Sequence, residues 1–369
     1  MKILVVNLVG LNIVPPIRSL LDNLINNNHE ITLISMDSEN ALDEYIKKGV
    51  KVYKMEELPT NPFKRITAFF KRREYLRKLI PELMKKCDII WTTTDKSAVE
   101  VGKDLLKKYY HVMELLELVK DYPEYPKQKM IMANLPVYAR NAKVVVMPEY
   151  NRAMISKVWW NLEKNPVVLP NKPYTIPAFD EKLIDSQLLN KVKNEKRKIV
   201  LYQGVFCEDR DLDIIAEAVE RMPDYVLYIM GRENDFCKGL LQRHKNIEYL
   251  GYIAPPNHIF ISKYASVGLL PYKPSIVEGY SELNALYCAP NKIFEYACQG
   301  LPMVGSDVPG IKAPFMNYCI GECYDDKSVE SIIDAITKVC NEREKYSCNC
   351  ANYFNSVDLD AIVKSILNQ

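Results

Sequence analysis

Short, nearly unbroken apolar runs recur along the chain, and stretches with apolar residues every three or four positions separate them. KILVV (2–6), EITLISM (30–36), DIIWTT (88–93), KVVVM (143–147) and PVVLP (166–170) form a first series. A second reads KIVLYQG (198–204), YVLYIMG (225–231), IEYLGYI (247–253), SVGLLPY (266–272) and PMVGSD (302–307). A strand with one wet face alternates apolar and polar residues. These runs do not, which predicts parallel strands covered on both faces. IRSLLDNLI (17–25), LDIIAEAVERM (212–222) and SIIDAITKVC (331–340) have helical spacing. Repeated strand–helix alternation predicts an α/β protein with doubly wound parallel sheets.

The alternation lapses once, around 171–197, where NKPYTIP is rich in proline and KVKNEKRK is polar and charged. We read this stretch as a linker and the entry to a second domain. Two Rossmann-like domains are expected, over 1–171 and 172–350, facing each other across a cleft. Residues 351–369 form a last helix that can cross back to the first domain. A length of 369 residues suits two such domains. Open parallel sheets bind ligands beyond the carboxyl ends of their strands, so functional residues are expected in the loops that follow the runs.

Charge narrows the function classes. Lys and Arg exceed Asp and Glu by only two, so no nucleic acid partner is implied. The opening MKILVVNLVG lacks the apolar length and cleavage site of a signal peptide. No run reaches the roughly 18 apolar residues of a membrane span. The expected location is the cytoplasm. Of ten cysteines, nine follow residue 200, and no two are spaced Cys-x-x-Cys; the four histidines are scattered. This argues against a zinc site and for reduced, mostly buried thiols. His29, His244 and His258 stand in turn-like contexts and read as surface residues.

One segment departs from the even charge. Residues 62–86, PFKRITAFFKRREYLRKLIPELMKK, hold nine Lys/Arg and two Glu, leaving the rest of the chain net acidic. Asn61 can cap this helix and Pro62 suits its first position; Pro81 is expected to break or kink it. Two readings stand side by side. It is an ordinary domain helix with a solvated basic face, or it lies on an anionic membrane surface as a peripheral contact. In the second case Lys64, Arg65, Arg72, Arg73, Arg77 and Lys78 meet the headgroups, and Phe69 and Phe70 sit at their level.

PNKIFEYACQGLP (290–302) carries the chemistry. Pro290 is a natural helix starter and Gly300 a natural C-terminal cap. Asn291, Lys292, Glu295 and Gln299 share one face; Ile293, Phe294, Ala297 and Cys298 share the other. A lysine in the first turn opposes the helix dipole, and it makes sense if a phosphate sits there. Glu295 would be repelled by phosphate and suits neutral hydroxyls such as those of a ribose. A nucleoside diphosphate satisfies both.

PNKIFEYACQGLPMVGSDVPGIK resembles the signature of the group 1, retaining type of GT-B glycosyltransferases, through Glu295, Gly300, Pro302 and the strand leading to Asp307. Supporting pieces follow in order along the chain. KIVLYQGVFCEDRDL resembles the family's strand–glycine–basic segment, with Gly204 at the turn and Arg210 facing the diphosphate. YVLYIMG, ending at Gly231, resembles the next strand. YLGYI resembles the strand after which the backbone at Tyr252 and Ile253 reads the base. VGLLPY, ending at Tyr272, precedes the sugar loop. NLVGLN resembles the acceptor loop, with Gly10 and Asn12. YYHVMELLEL (109–118) resembles a strand-end segment whose His111 contacts the transferred sugar and whose Glu114 orients the acceptor; amphipathic core helix over 112–119 is the alternative. PEYNRAMI and VVLPNKP are similar to bacterial polysaccharide members. The resemblance implies transfer, with retention, from a UDP- or GDP-sugar donor to a hydroxyl of a glycan or lipid-linked acceptor in bacterial surface polysaccharide synthesis. Lys292 and Arg210 would stabilise the leaving diphosphate, with no metal or other cofactor expected.

Three departures stand out. The first glutamate of the family's pair is Tyr287 here, with Glu278 and Glu282 nearby; the arginine after the glycine turn is Val205; and Met113 stands where relatives have histidine. The alternatives are a nucleotide-sugar epimerase of the same fold and a non-catalytic subunit that activates a partner glycosyltransferase.

Overall fold

A computed structural model of the chain describes residues 1–11, 14–121, 134–176, 178–275 and 281–369. The chain divides into two compact units. One comprises Met1–Tyr174 and Asp358–Gln369, the other Thr175–Val277 and Ser281–Val357.

The first unit holds seven strands: β1 (Lys2–Asn7), β2 (Glu30–Ser35), β3 (Lys51–Lys54), β4 (Ile89–Thr93), β5 (His111–Glu114), β6 (Val144–Met147) and β7 (Val167–Val168). All pair in parallel, in the order β3-β2-β1-β4-β5-β6-β7. Every residue of β4 and β6 is buried, as a strand covered on both faces requires. The edge strand β3 is mostly exposed and shows no apolar run.

The second unit holds β8 (Lys198–Gln203), β9 (Tyr225–Met230), β10 (Ile247–Tyr249), β11 (Val267–Leu270), β12 (Met303–Ser306) and β13 (Gly321–Tyr324). These six are also parallel, in the order β10-β9-β8-β11-β12-β13. Strand order reverses between β8 and β11, so the helices on either side of that point lie on opposite faces of the sheet. Their connecting loops part there and leave a crevice beyond the strands' carboxyl ends.

The Leu359–Leu367 helix belongs to the first unit. Asp358 caps it by accepting the Ala361 N–H, and Asp360 Oδ1 accepts from the amides of Asn23 and Asn27, each at 2.7 Å. Its Leu359, Val363, Ile366 and Leu367 are buried. Residues 351–356 finish a helix begun at Arg343 in the second unit.

Several sequence expectations change. The basic helix runs unbroken over Pro62–Met84, through Pro81. Only one turn follows that proline, so a single lost backbone bond is tolerated. Asn61 caps the helix as expected, accepting from the N–H groups of Phe63 and Lys64. Phe69 and Arg72, expected at the membrane, are buried instead. Arg72 donates Nε–H and Nη2–H to the two carboxylate oxygens of Glu100 and Nη1–H to the Glu56 carbonyl. The Arg73 guanidinium packs closely enough on Gly102 to leave a β-carbon no room. Lys64, Phe70, Arg77 and Lys78 are exposed, Lys78 paired with Glu74, and Arg65 is half-buried. The polar stretch read as linker contains a helix, Ser186–Asn194, capped by Asp185. All ten cysteines are free thiols, but only Cys237, Cys288 and Cys350 are fully buried.

Candidate functional site

The loops after β8, β9 and β11 converge on the helix Asn291–Ala297 of the second unit. Gly204 follows β8 with φ +143°, a backbone state that L side chains rarely adopt. A β-carbon there would lie 2.6 Å from Lys292 Cε and 2.8 Å from its Nζ. Gly231, after β9, faces Gly204 so closely that a β-carbon would come within 2.0 Å of the Gly204 carbonyl oxygen. Its own N–H donates to Gly251 O at 3.0 Å. Two glycines thus let two strand ends close up and leave the lysine stem lying over the turn.

Pro290 takes the cap position of the helix, and Asn291 is its first residue. The helix closes at Gly300, where the N–H groups of Gly300 and Leu301 return to the carbonyls of Ala297 and Tyr296. Asn291 and Lys292 are half-buried, and among the described residues Lys292 makes no ion pair. Burial, reinforced by the positive Arg210, pushes the Lys292 ammonium down to about 8 against the pull of Glu295. Such a cation favours an incoming anion.

Glu295, one turn on, is buried at 6% exposure. Its Oε2 accepts from Gln203 Nε2 at 2.8 Å and lies 3.4 Å from His258 Nε2. Burial alone would raise its pKa; His258, Lys292 and the Gln203 bond outweigh that and hold it below the usual carboxylate range. An ionised, buried carboxylate beside a loop turn is a strong hydrogen-bond acceptor.

Arg210 is arranged differently. It lies 3.7 Å over the Tyr272 ring, pairs with the Asp209 carboxylate and donates to the Asp209 carbonyl at 2.9 Å. Tyr272 is itself fixed by its N–H donating to Ser306 Oγ at 2.9 Å. Tyr252 is exposed, with the Arg232 guanidinium 4.8 Å over its ring, while Ile253 packs on the core. Gly204, Gly231, Tyr272, Arg210, Lys292 and Glu295 therefore lie around one strand-end crevice of the second unit. Val205, where the resemblance leads one to expect an arginine, is 69% exposed. Tyr287 ends the short helix Glu282–Leu286; Glu278 lies outside the described residues.

The segment after Gly204 contains Asp-x-Asp spacings. Asp209 takes Arg210 and the Cys207 thiol, Asp211 pairs with Lys273 at 3.2 Å, and Asp213 takes Arg243 and His244. These carboxylates already have partners, and no cluster suited to a metal occurs among the described residues.

The first unit's candidates are placed otherwise. Residues 111–114 are strand, not helix. His111 opens β5, at the amino edge of the sheet and away from the ligand-binding end. It is buried, with Nε2 2.8 Å from Thr92 Oγ1, and burial pushes its imidazole down to about 3. An uncharged, enclosed histidine at that edge is a core residue, which corrects its expected contact with sugar. Glu114 ends β5 at the carboxyl edge but is also buried, accepting from Trp91 Nε1 at 2.8 Å; burial pushes its carboxyl up to about 7. It borders a cavity of about 10 Å³, shared with Ser19, Asn23 and Val363, which has room for one water. A site that small admits no sugar, so Glu114 does not touch an acceptor here. Gly10 accepts the Val14 N–H in the loop after β1; Asn12 lies outside the described residues.

Sequence reasoning missed Gln203 and His258. Gln203 closed a strand run and offered no signal; His258 looked like a turn residue, and only the fold brings it to Glu295.

Residues 185–353 match the family model described as glycosyl transferases group 1. No curated protein matches the chain in sequence. A glycosyltransferase from Rickettsia africae ESF-5 superposes with TM-score 0.69 at 13% identity, over 100% of this chain and 97% of that one. Anabaena HepE, in complex with UDP and glucose, gives 0.66 at 14%, over 100% and 98%. A putative UDP-N-acetylglucosamine 2-epimerase from Listeria monocytogenes gives 0.62 at 10%, over 99% and 94%. At these identities the likeness is one of fold. The chain thus shares the two-domain fold of these glycosyltransferases, and residues 185–353 match the group 1 glycosyl transferase model.

Proposed function

We propose that the protein transfers a sugar from a UDP- or GDP-sugar to a hydroxyl of a glycan or lipid-linked acceptor, with retention, in the assembly of a bacterial surface polysaccharide. The observation that carries the donor half is the half-buried Lys292, without an ion pair among the described residues, lying over Gly204, with Glu295 one turn behind it. The diphosphate would sit against Lys292 and the turn at Gly204, and the ribose hydroxyls would bond Glu295. As the sugar leaves, charge builds on the diphosphate, and Lys292 would stabilise it more than in the ground state. Anabaena HepE, crystallised with UDP and with UDP-glucose, supports a uridine nucleotide as the first choice. Retention, the acceptor class and the pathway rest on the sequence resemblance alone.

Calorimetry with UDP and GDP, followed by product analysis with nucleotide sugars and a lipid-linked acceptor, tests the proposal. Transfer supports it. Donor isomerisation without transfer would mark an epimerase, tight binding with neither reaction a non-catalytic subunit, and failure to bind either nucleotide would refute the donor site.

We further propose that the Pro62–Met84 helix rests on anionic membrane through Lys64, Arg77 and Lys78, with exposed Phe63 and Phe70 beside them. Replacing the three cations by glutamine is expected to weaken binding to phosphatidylglycerol vesicles at low salt by about 1 kcal/mol per charge. Equal binding by the variant would remove this surface from the function.

A further inference from the structure

Glu295 is held by two side chains from different elements. Gln203 is the last residue of β8, and His258 stands on the 3₁₀ helix Asn257–Tyr264. Both contacts fall on Oε2; among the described residues Oε1 accepts no hydrogen bond. Among the described residues His258 Nδ1 and Gln203 Oε1 are buried without partners, so neither side chain is tied elsewhere by these atoms. The Glu295 carboxylate faces His258 Nε2, so that nitrogen acts as the donor toward it.

A glutamate has three side-chain torsions, and a free one would have to be frozen each time a ligand bound. Clamping one oxygen from two directions freezes them beforehand and leaves the other oxygen for a ligand. We propose that His258 is a positioning residue for Glu295: together with Gln203 it fixes Oε2 and so presents Oε1 to the vicinal hydroxyls of the donor's ribose. This rests on the donor-site reading above. It assigns a ligand-specific role to a histidine that touches no ligand itself.

The test is calorimetric titration of the full chain with UDP and with 2′,3′-dideoxy-UDP. Wild type is expected to prefer the ribose form by on the order of tenfold, the usual worth of a hydrogen bond to a charged group. His258→Leu is expected to lower that preference below about threefold while leaving dideoxy-UDP affinity unchanged. His258→Gln, whose amide nitrogen can occupy the place of Nε2, is expected to restore it. The unchanged dideoxy-UDP affinity also shows that the variant is folded. A His258→Leu protein that keeps the wild-type ratio overturns the proposal, as does equal weakening toward both nucleotides in both variants, which marks a purely structural role. Wild type that binds UDP without preferring ribose overturns the role of Glu295 and this inference with it; wild type that binds neither nucleotide overturns the uridine donor site itself.

Discussion

Replacing Glu114 by glutamine is expected to stabilise the first unit, and to do so only at neutral and higher pH. The carboxyl is buried and accepts the Trp91 N–H, and its pKa stands at about 7 against an ordinary 4.5. In the unfolded chain it loses its proton near 4.5. In the folded chain it keeps that proton until about 7. Between those values the folded state binds more protons, so stability falls as pH rises through the window and levels off above it. At 1.36 kcal/mol for each tenfold in acidity, the accumulated penalty is roughly 3 kcal/mol. Glutamine keeps the shape and the acceptor for Trp91 but cannot ionise. The variant should match wild type near pH 5 and exceed it at pH 8 by about 6–12 °C in Tm, taking about 2–4 °C per kcal/mol for a unit of this size. Thermal unfolding followed by circular dichroism at both pH values reads this directly. Loss of the Trp91 bond would lower Tm equally at the two pH values and leave their difference intact. A Tm difference between variant and wild type that is the same at pH 5 and pH 8 would refute the reasoning.

The lowered ammonium of Lys292 predicts that nucleotide affinity falls above pH 8, by up to about tenfold per pH unit, because an anion needs the charged form and the free protein sheds its proton there and not near 10.5; UDP titrations from pH 7 to 9.5 check this, and Lys292→Met should bind weakly with a flat profile. Arg72→Met should cost about 3–5 kcal/mol in urea unfolding because Glu100 would remain buried beside it without its partner. Pairing that change with Glu100→Met should recover much of the loss, and a single-variant cost under about 1 kcal/mol would show that the pair is not enclosed.

The central strands were legible because burial on both faces demands a continuous apolar run, and β1, β4, β8 and β9 have one. The edges were not. β3 reads KVYK and β13 reads GECY, because a strand with one open side needs no apolar continuity. β5 was ambiguous because HVME puts a histidine and a glutamate into a core strand, and their neutral states under burial leave no trace in sequence. Lys292 was legible because it is locally unfavourable, a cation in a first turn, and Gly204 because the segment around it resembles a known family. His258 and Gln203 are locally ordinary and gain their role only from a contact that crosses 37 or more positions. The basic helix shows the same limit. Its sequence cannot say which arginine turns inward, because the reason is Glu100, 28 residues on.

Helix position suggested Lys292, and the family resemblance Arg210, as cations for a diphosphate, and the geometry separates them. Arg210 is paired with the carboxylate of its neighbour Asp209, donates to the Asp209 backbone and stacks on Tyr272. Most of its charge is already answered, and moving it toward a ligand would break a half-buried ion pair. Lys292 has no such partner among the described residues, and the missing β-carbon of Gly204 gives its stem a place to lie. Val205, where the resemblance leads one to expect a further arginine, carries no charge. The charge available to an anion at this turn therefore comes chiefly from Lys292. A lysine in the first turn opposes its own helix dipole, and the proposed diphosphate would give it the partner that the helix itself does not.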